Sequence, residues 1–239
     1  MARRRFFVPQ VRRGVAELSG DEAEHLVRVL RAEVGQVYEI SDNENLYLAE
    51  VETARKSEVT FKVLEDLPAP AEEAEIVLVA ALIKFDRFEW IVEKATELGV
   101  TEIRPFEATR TERGLAQASV KRRERWMKIA HEASQQARRA KLPVITETVE
   151  FAEAVDFDVN VKLMLDEESH APIVRCLPPE RSVKDRVALL LGPEGGWTEE
   201  ERKKAQAAGW VSCSLGTTVL RAETAAAAGL AVVRASWAE

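Results

Sequence analysis

The sequence predicts an α/β protein in two parts, a small β domain over residues 1–70 and a larger domain of alternating strands and helices over 71–239. Three features carry that expectation. Between Val34 and Leu64 apolar residues fall at every second position. Near residue 70 "LPAPAEEAE" interrupts all periodicity. Beyond it, apolar runs of strand length alternate with stripes at helical spacing.

In "DEAEHLVRVLR", Ala23, Leu26, Val27 and Leu30 follow one face of a helix, which leaves His25, Arg28 and Arg31 elsewhere on its surface. The alternating runs "VYEI", "LYLAEVE" and "VTFKVL" follow, with Gly35 and "SDNEN" as turns; together they predict a small antiparallel sheet or barrel. After the proline-rich linker, "IVLVAAL" at 76–82 reads as a buried strand. A helix comes next, its stripe made by Phe88, Ile91, Val92, Ala95 and Leu98, and Gly99 stops it. Trp126, Ile129, Ala130, Ala133 and Ala137 repeat the spacing inside the basic segment 121–141, so its arginines ride on an amphipathic helix. "VKLML" at 161–165, "VALLL" at 187–191 and "VSCSL" at 211–215 complete a mostly parallel sheet.

"LLLGPEGGWTEEE", residues 189–201, places a glycine-rich loop at the carboxyl end of one of these strands, where open α/β sheets bind ligands. Thr198 and Glu201 form a capping-box pair for the next helix, and Gly209 ends it. The loop is neither GxxxxGK[ST] nor GxGxxG, and Glu194 would repel phosphate. A neutral or cationic ligand held by backbone groups fits better. The same arrangement recurs at Gly216, followed by a helix from about Ala222 whose small residues, Ala225 to Gly229, permit close packing beside a site.

The net charge of -7 argues against general polyanion binding, yet Arg3, Arg4, Arg5, Arg12 and Arg13 and the eight cations of 121–141 form local basic patches. Cys176 and Cys213 have no metal-ligand spacing, and neither a metal site nor a disulfide is expected. No apolar run is long enough for a membrane span and the basic start lacks a signal-peptide core, so a cytoplasmic protein is expected.

"LLLGPEGGWTEEE" followed by "SLGTTVLRAETAAAAGL" is similar to the paired signature of the SPOUT superfamily of RNA methyltransferases, specifically the bacterial 16S ribosomal RNA uridine-N3 methyltransferases. "HLVRVLRAEVGQ", "KFDRFEWIVEKATELGVTEIRPFEATRT" and "EASQQARRAKLPVI" extend the resemblance over nearly the whole chain. It implies a SPOUT-type methyltransferase domain with a C-terminal trefoil knot, preceded by a small PUA-like β-barrel domain. It also implies S-adenosylmethionine as cofactor, a homodimer, and 16S ribosomal RNA of the small subunit as partner.

Carried over residue by residue, the resemblance gives a cofactor slot built from Leu165 and Leu191, from Gly192, Glu194, Gly195 and Gly196, and from Leu215, Gly216, Val219 and Leu220. Leu165, Leu215 and Leu220 serve equally well as core. Arg221 is placed to stabilise charge on the uracil, with Glu223 or Glu194 as proton acceptor. Arg110, Gln136 and Arg139 match polar positions that hold RNA or bridge subunits. In the first domain His25, Arg28 and Arg31, with Arg3, Arg4 and Arg5, would contact phosphates. Three rivals stand beside this reading: a related enzyme with a different acceptor atom, an RNA-binding factor without chemistry, and a nucleotide-binding enzyme using GPEGG as a phosphate loop, which Glu194 and the missing lysine disfavour.

Overall fold

The computed structural model describes residues 4–238, so Arg3 lies outside the described residues. The chain divides into two compact units, residues 1–71 with 134–142, and residues 72–133 with 143–239. Thus the end of the basic segment joins the first unit, which the linker near residue 70 does not announce.

The first unit contains β1 (Arg5–Phe7), β2 (Val11–Arg12), β3 (Val15–Ser19), α1 (Asp21–Arg28), β4 (Val37–Ser41), β5 (Leu46–Arg55) and β6 (Glu58–Leu67). Among the described residues these strands form a six-stranded sheet in the order β1-β4-β5-β6-β3-β2. The alternating runs are antiparallel as expected, but β1 joins β4 in parallel, with Arg5 opposite Glu39, so the sheet is mixed. α1 covers one face with Ala23 and Leu26, which are buried with Ile40, Val51, Val59 and Phe61. Segment 134–142 is held here by the chain's own polar groups. Ser41 Oγ donates to the Ala140 carbonyl at 2.7 Å, and Asn43 Oδ1 accepts from the Leu142 N–H at 2.7 Å.

The second unit runs β7 (Glu75–Ala81), α2 (Phe85–Glu97), β8 (Glu102–Glu107), α3 (Leu115–Gln136), β9 (Val144–Ile145), β10 (Val149–Glu150), α4 (Phe151–Val155), β11 (Val161–Leu165), the single turn α5 (Ile173–Cys176), β12 (Arg186–Leu191), α6 (Glu199–Ala207), β13 (Val211–Cys213) and α7 (Ala222–Ser236). Among the described residues its seven strands pair in parallel, in the order β10-β8-β7-β12-β11-β13 with β9 also on β8. Such a sheet is buried on both faces, which explains why β7 and β12 read as unbroken apolar runs. The α2 stripe is buried as its spacing predicts, with Phe88, Ile91, Val92 and Ala95 in the core.

The sequence order decides where a crevice opens. From β7 the chain builds outward through β8, then crosses to β11; β12 inserts between β7 and β11, and β13 adds outside β11. β11, β12 and β13 therefore end side by side, and their loops meet. α7 then returns from that edge to pack on β12 and α2. Gly229 makes the return possible, because a Cβ there would lie 2.9 Å from Leu189 Cδ2 and 3.1 Å from Leu165 Cδ1. Gly229→Val is expected to destabilise the fold by about 1–3 kcal/mol through overpacking, read as a lower midpoint in thermal or denaturant unfolding.

Candidate functional site

The loops after β11, β12 and β13 enclose a cleft of about 390 Å³. One wall is Leu191 with the loop 192–196, and the opposite wall is 214–221. Leu165, Asp166 and Glu167 form the floor, and Arg87 at the start of α2 closes one side.

Trp197 sets the shape of the first wall. It is buried and donates its indole N–H to the Leu165 carbonyl at 2.8 Å, which ties the ends of β11 and β12 together. Gly192 is glycine for this reason: a Cβ there would come within 2.8 Å of the indole. Gly196 adopts φ +71°, the left-handed region that glycine enters without strain, and so turns the loop back into α6.

α6 begins with the expected capping box. Thr198 Oγ1 accepts from the Glu201 N–H at 3.2 Å, and Glu201 Oε2 accepts from the Thr198 N–H at 2.9 Å. The other oxygen of Glu201 accepts from the Thr109 N–H at 2.8 Å, although 92 residues separate them. Burial alone would raise the Glu201 carboxyl; the donors from Thr109 and Thr198 outweigh it and hold the group below the ordinary glutamate range. Beside it, Arg110 donates to the Gly195 carbonyl at 2.7 Å. The loop 108–111 is thereby clamped to the glycine loop at two points.

The floor is an ion pair. Asp166, nearly buried, accepts from Arg202 Nε at 2.9 Å and from Nη2 at 3.2 Å. The Arg202 guanidinium is held firmly protonated, first by its hydrogen bonds to Asp166 and then by the charges of Asp166 and Glu168. Burial pushes the Cys213 thiol, at the end of β13, up to about 12, so it is an inert lining group. The second wall rests on Ser214, whose N–H donates to the Ala171 carbonyl at 2.7 Å and whose own carbonyl accepts from the Ile173 N–H at 2.9 Å.

Residues 70–234 match the RNA methyltransferase domain family, and residues 18–64 match the RNA methyltransferase PUA domain. Ribosomal RNA small subunit methyltransferase E of Bacillus subtilis is 32% identical, with 92% of each chain covered. This chain belongs to the ribosomal RNA small subunit methyltransferase E family. Solved structures agree. The enzyme of that name from Neisseria gonorrhoeae, bound to S-adenosyl methionine, is 26% identical with a TM-score of 0.87 over 99% of this chain and 98% of its own. A Legionella pneumophila protein in complex with the same cofactor is 29% identical with a TM-score of 0.89, over 99% and 98%.

Against that family background the site residues sort clearly. Leu165, Leu191, Gly192, Glu194, Gly196 and the group Leu215, Gly216, Val219, Leu220 all line the cleft. Gly195 does not. It turns outward, and a Cβ there would lie 3.2 Å from Arg110 Cβ. Of the three residues assigned chemistry, Arg221 and Glu194 line the cleft, and Glu194 is ion-paired with Arg87. Glu223 lies one residue beyond the lining residue Ala222, and among the described residues its buried Oε2 has no hydrogen-bond partner.

The basic residues separate into engaged and open. Arg5 is tied to Glu39 at 2.7 Å and to the Arg138 carbonyl, so its guanidinium is engaged within the first unit. Arg4, His25, Arg28, Arg31 and Gln136 are exposed, with Arg28 near Glu24 at 3.3 Å; Arg139 is half-buried. Sequence reasoning missed Arg87, Trp197 and the Asp166–Arg202 pair. Arg87 alone had a signal, as a cation lying off the apolar stripe of its helix. Among the described residues no helix is long and apolar enough to cross a membrane, and no cluster of three or more His, Cys, Asp or Glu side chains could hold a metal.

Glu201→Gln is expected to cost about 1–2 kcal/mol, since it removes a charged acceptor from two backbone donors. Because folding depresses this carboxyl, its contribution is full above the ordinary glutamate pKa of about 4.3 and is lost as pH falls through the folded value. Unfolding measured from pH 7 down to pH 3 should therefore show a shallower acid loss in the variant than in the parent chain.

Proposed function

We propose that this protein transfers a methyl group from S-adenosylmethionine to N3 of one uridine in the 16S RNA of the small ribosomal subunit, acting in the cytoplasm as a homodimer. The cleft between 191–196 and 214–221 is the observation that carries this reading. Its volume of about 390 Å³ falls in the range of small-molecule sites. Its lining combines apolar Leu165, Leu191 and Leu220 with acidic Glu167 and Glu194 and basic Arg87. That mixture suits a cofactor that joins an apolar adenosine, a sulfonium and a zwitterionic amino acid.

Leu191, Leu215 and Leu220 would pack on the adenosine, while backbone groups of 192–196 and 215–220 address its polar edge. When bound, S-adenosylmethionine supplies the electrophilic methyl group. The chain's own tasks are to hold the uracil in line with it and to manage a proton. Most of the acceleration from such positioning is entropic. Uridine N3 is protonated at neutral pH, and Glu223, with an unpartnered carboxylate oxygen at the start of α7, is the group we assign to take that proton. Glu194 serves less well, because Arg87 already engages it. Arg221, exposed at the cleft, stabilises negative charge developing on the uracil oxygens.

The trefoil knot belongs to this proposal. Two observations support it: α7 returns from the outer strand β13 to pack on β12, and Ser214, just after β13, bridges to 171–173 in the segment joining β11 to β12. A chain drawn through that segment accounts for Gly229 and its alanine-rich neighbours. Val219, 83% exposed on the rim, is an apolar group that a second copy would cover. In the first unit Arg4, His25, Arg28 and Arg31, with Gln136 and Arg139, are the residues we assign to RNA; the Arg28–Glu24 pair is exposed and readily exchanged for phosphate. A stacked target uridine must be turned out before its N3 is reached.

Purified small subunits and naked RNA, each incubated with labelled donor and then digested to nucleosides, test the reaction. N3-methyluridine is the expected product, and any other methylated nucleoside refutes the assignment. Glu223→Gln should lower kcat by roughly 10²- to 10⁴-fold with cofactor affinity unchanged.

A further inference from the structure

Arg87 occupies an unfavourable place for a cation. It sits in the first turn of α2, where the helix dipole disfavours a cation by a few tenths of a kcal/mol or more. Its guanidinium reaches Glu194 in the glycine loop, which lies 107 residues away in sequence. The pair sits on the cleft wall, and each side chain is about one-third exposed, 34% and 36%. Exposed pairs of this kind add little to stability. Both charges therefore remain available to a ligand.

Of the other charged lining residues, Asp166 is engaged, Arg221 is across the cleft, and Glu167 lies exposed beside Gly196. Asp166 is bound by Arg202 through both oxygens. Arg221 is at the start of α7, on the opposite wall. Among the described lining residues Arg87 and Arg221 are the cations, so on the glycine-loop side Arg87 is the positive group, paired with Glu194 and with Glu167 lying beside Gly196.

We infer that Arg87 and Glu194 form a two-sided clamp for the amino-acid end of the donor, the guanidinium taking its carboxylate and the Glu194 carboxylate taking its ammonium. This rests on the donor site proposed above. A zwitterion can exchange into such a pair with both charges kept compensated, since each partner trades one opposite charge for another. An arginine fork suits a carboxylate better than a lysine point charge does. The same contact explains why Glu194 is a poor proton acceptor, because its charge is committed to a cation on either side of the exchange.

Calorimetry with three ligands separates the possibilities: S-adenosylhomocysteine carries the amino acid, decarboxylated S-adenosylmethionine lacks only the carboxylate, and 5′-methylthioadenosine lacks the amino-acid end. Arg87→Ala should weaken S-adenosylhomocysteine about tenfold, the scale of one charge-assisted contact, and leave the other two ligands unchanged. Arg87→Lys should recover part of that loss. Glu194→Gln should weaken S-adenosylhomocysteine and decarboxylated S-adenosylmethionine but not 5′-methylthioadenosine. If Arg87→Ala weakens all three equally, Arg87 merely shapes the loop and the clamp is refuted. If it weakens none, the clamp is likewise refuted while the donor site stands. If the parent protein binds none of the three, the donor site itself fails and the clamp falls with it.

Discussion

The Glu201 carboxylate is the interaction on which the cleft depends. One oxygen caps its own helix at Thr198, and the other reaches the Thr109 N–H on a loop after β8. A buried carboxylate with only one of these donors would be costly. With both, it becomes a fixed point that joins two βα loops. Arg110 and the Gly195 carbonyl add a second tie nearby. The glycine loop can therefore be open toward the cleft and still hold one shape, because its outer side is anchored by Glu201, Thr109 and Arg110.

The glycines of this loop play different parts, although the sequence writes them alike. Gly192 makes room for the Trp197 indole, Gly195 lets the Arg110 side chain lie against the backbone, and Gly196 supplies a left-handed turn. Only the first and third border the cleft. A glycine in a strand-to-helix loop thus says that something comes close, without saying what.

Much of the fold was legible because one interaction dominates it. Burial on both faces makes β7, β11 and β12 read as apolar runs, and one-sided burial writes the α2 stripe and the alternation of β4 to β6. The capping box at Thr198 is equally local and could be read directly. The parallel pairing of β1 with β4 was not, since Arg5–Phe7 is short and its partner lies more than thirty residues on. The capture of 134–142 by the first unit was hidden too, because it rests on backbone carbonyls accepting from Arg5 and Ser41. In the site, the loop residues were found through their resemblance to a family. The long-range ion pairs, Arg87 with Glu194 and Asp166 with Arg202, join elements whose proximity only the folded sheet creates.

The placement of β12 has a consequence for synthesis. One edge of β7 is satisfied soon, by Glu102–Phe106 of β8, but its other edge pairs only with Arg186–Leu191. At ribosomal elongation rates that edge waits roughly 5–20 s for its partner. Throughout that interval "EIVLVAA" presents bare backbone amides and branched apolar side chains to its surroundings. The nascent chain is thus most vulnerable to intermolecular strand addition in mid-translation, and holding chaperones would matter most between the emergence of residue 81 and that of residue 191.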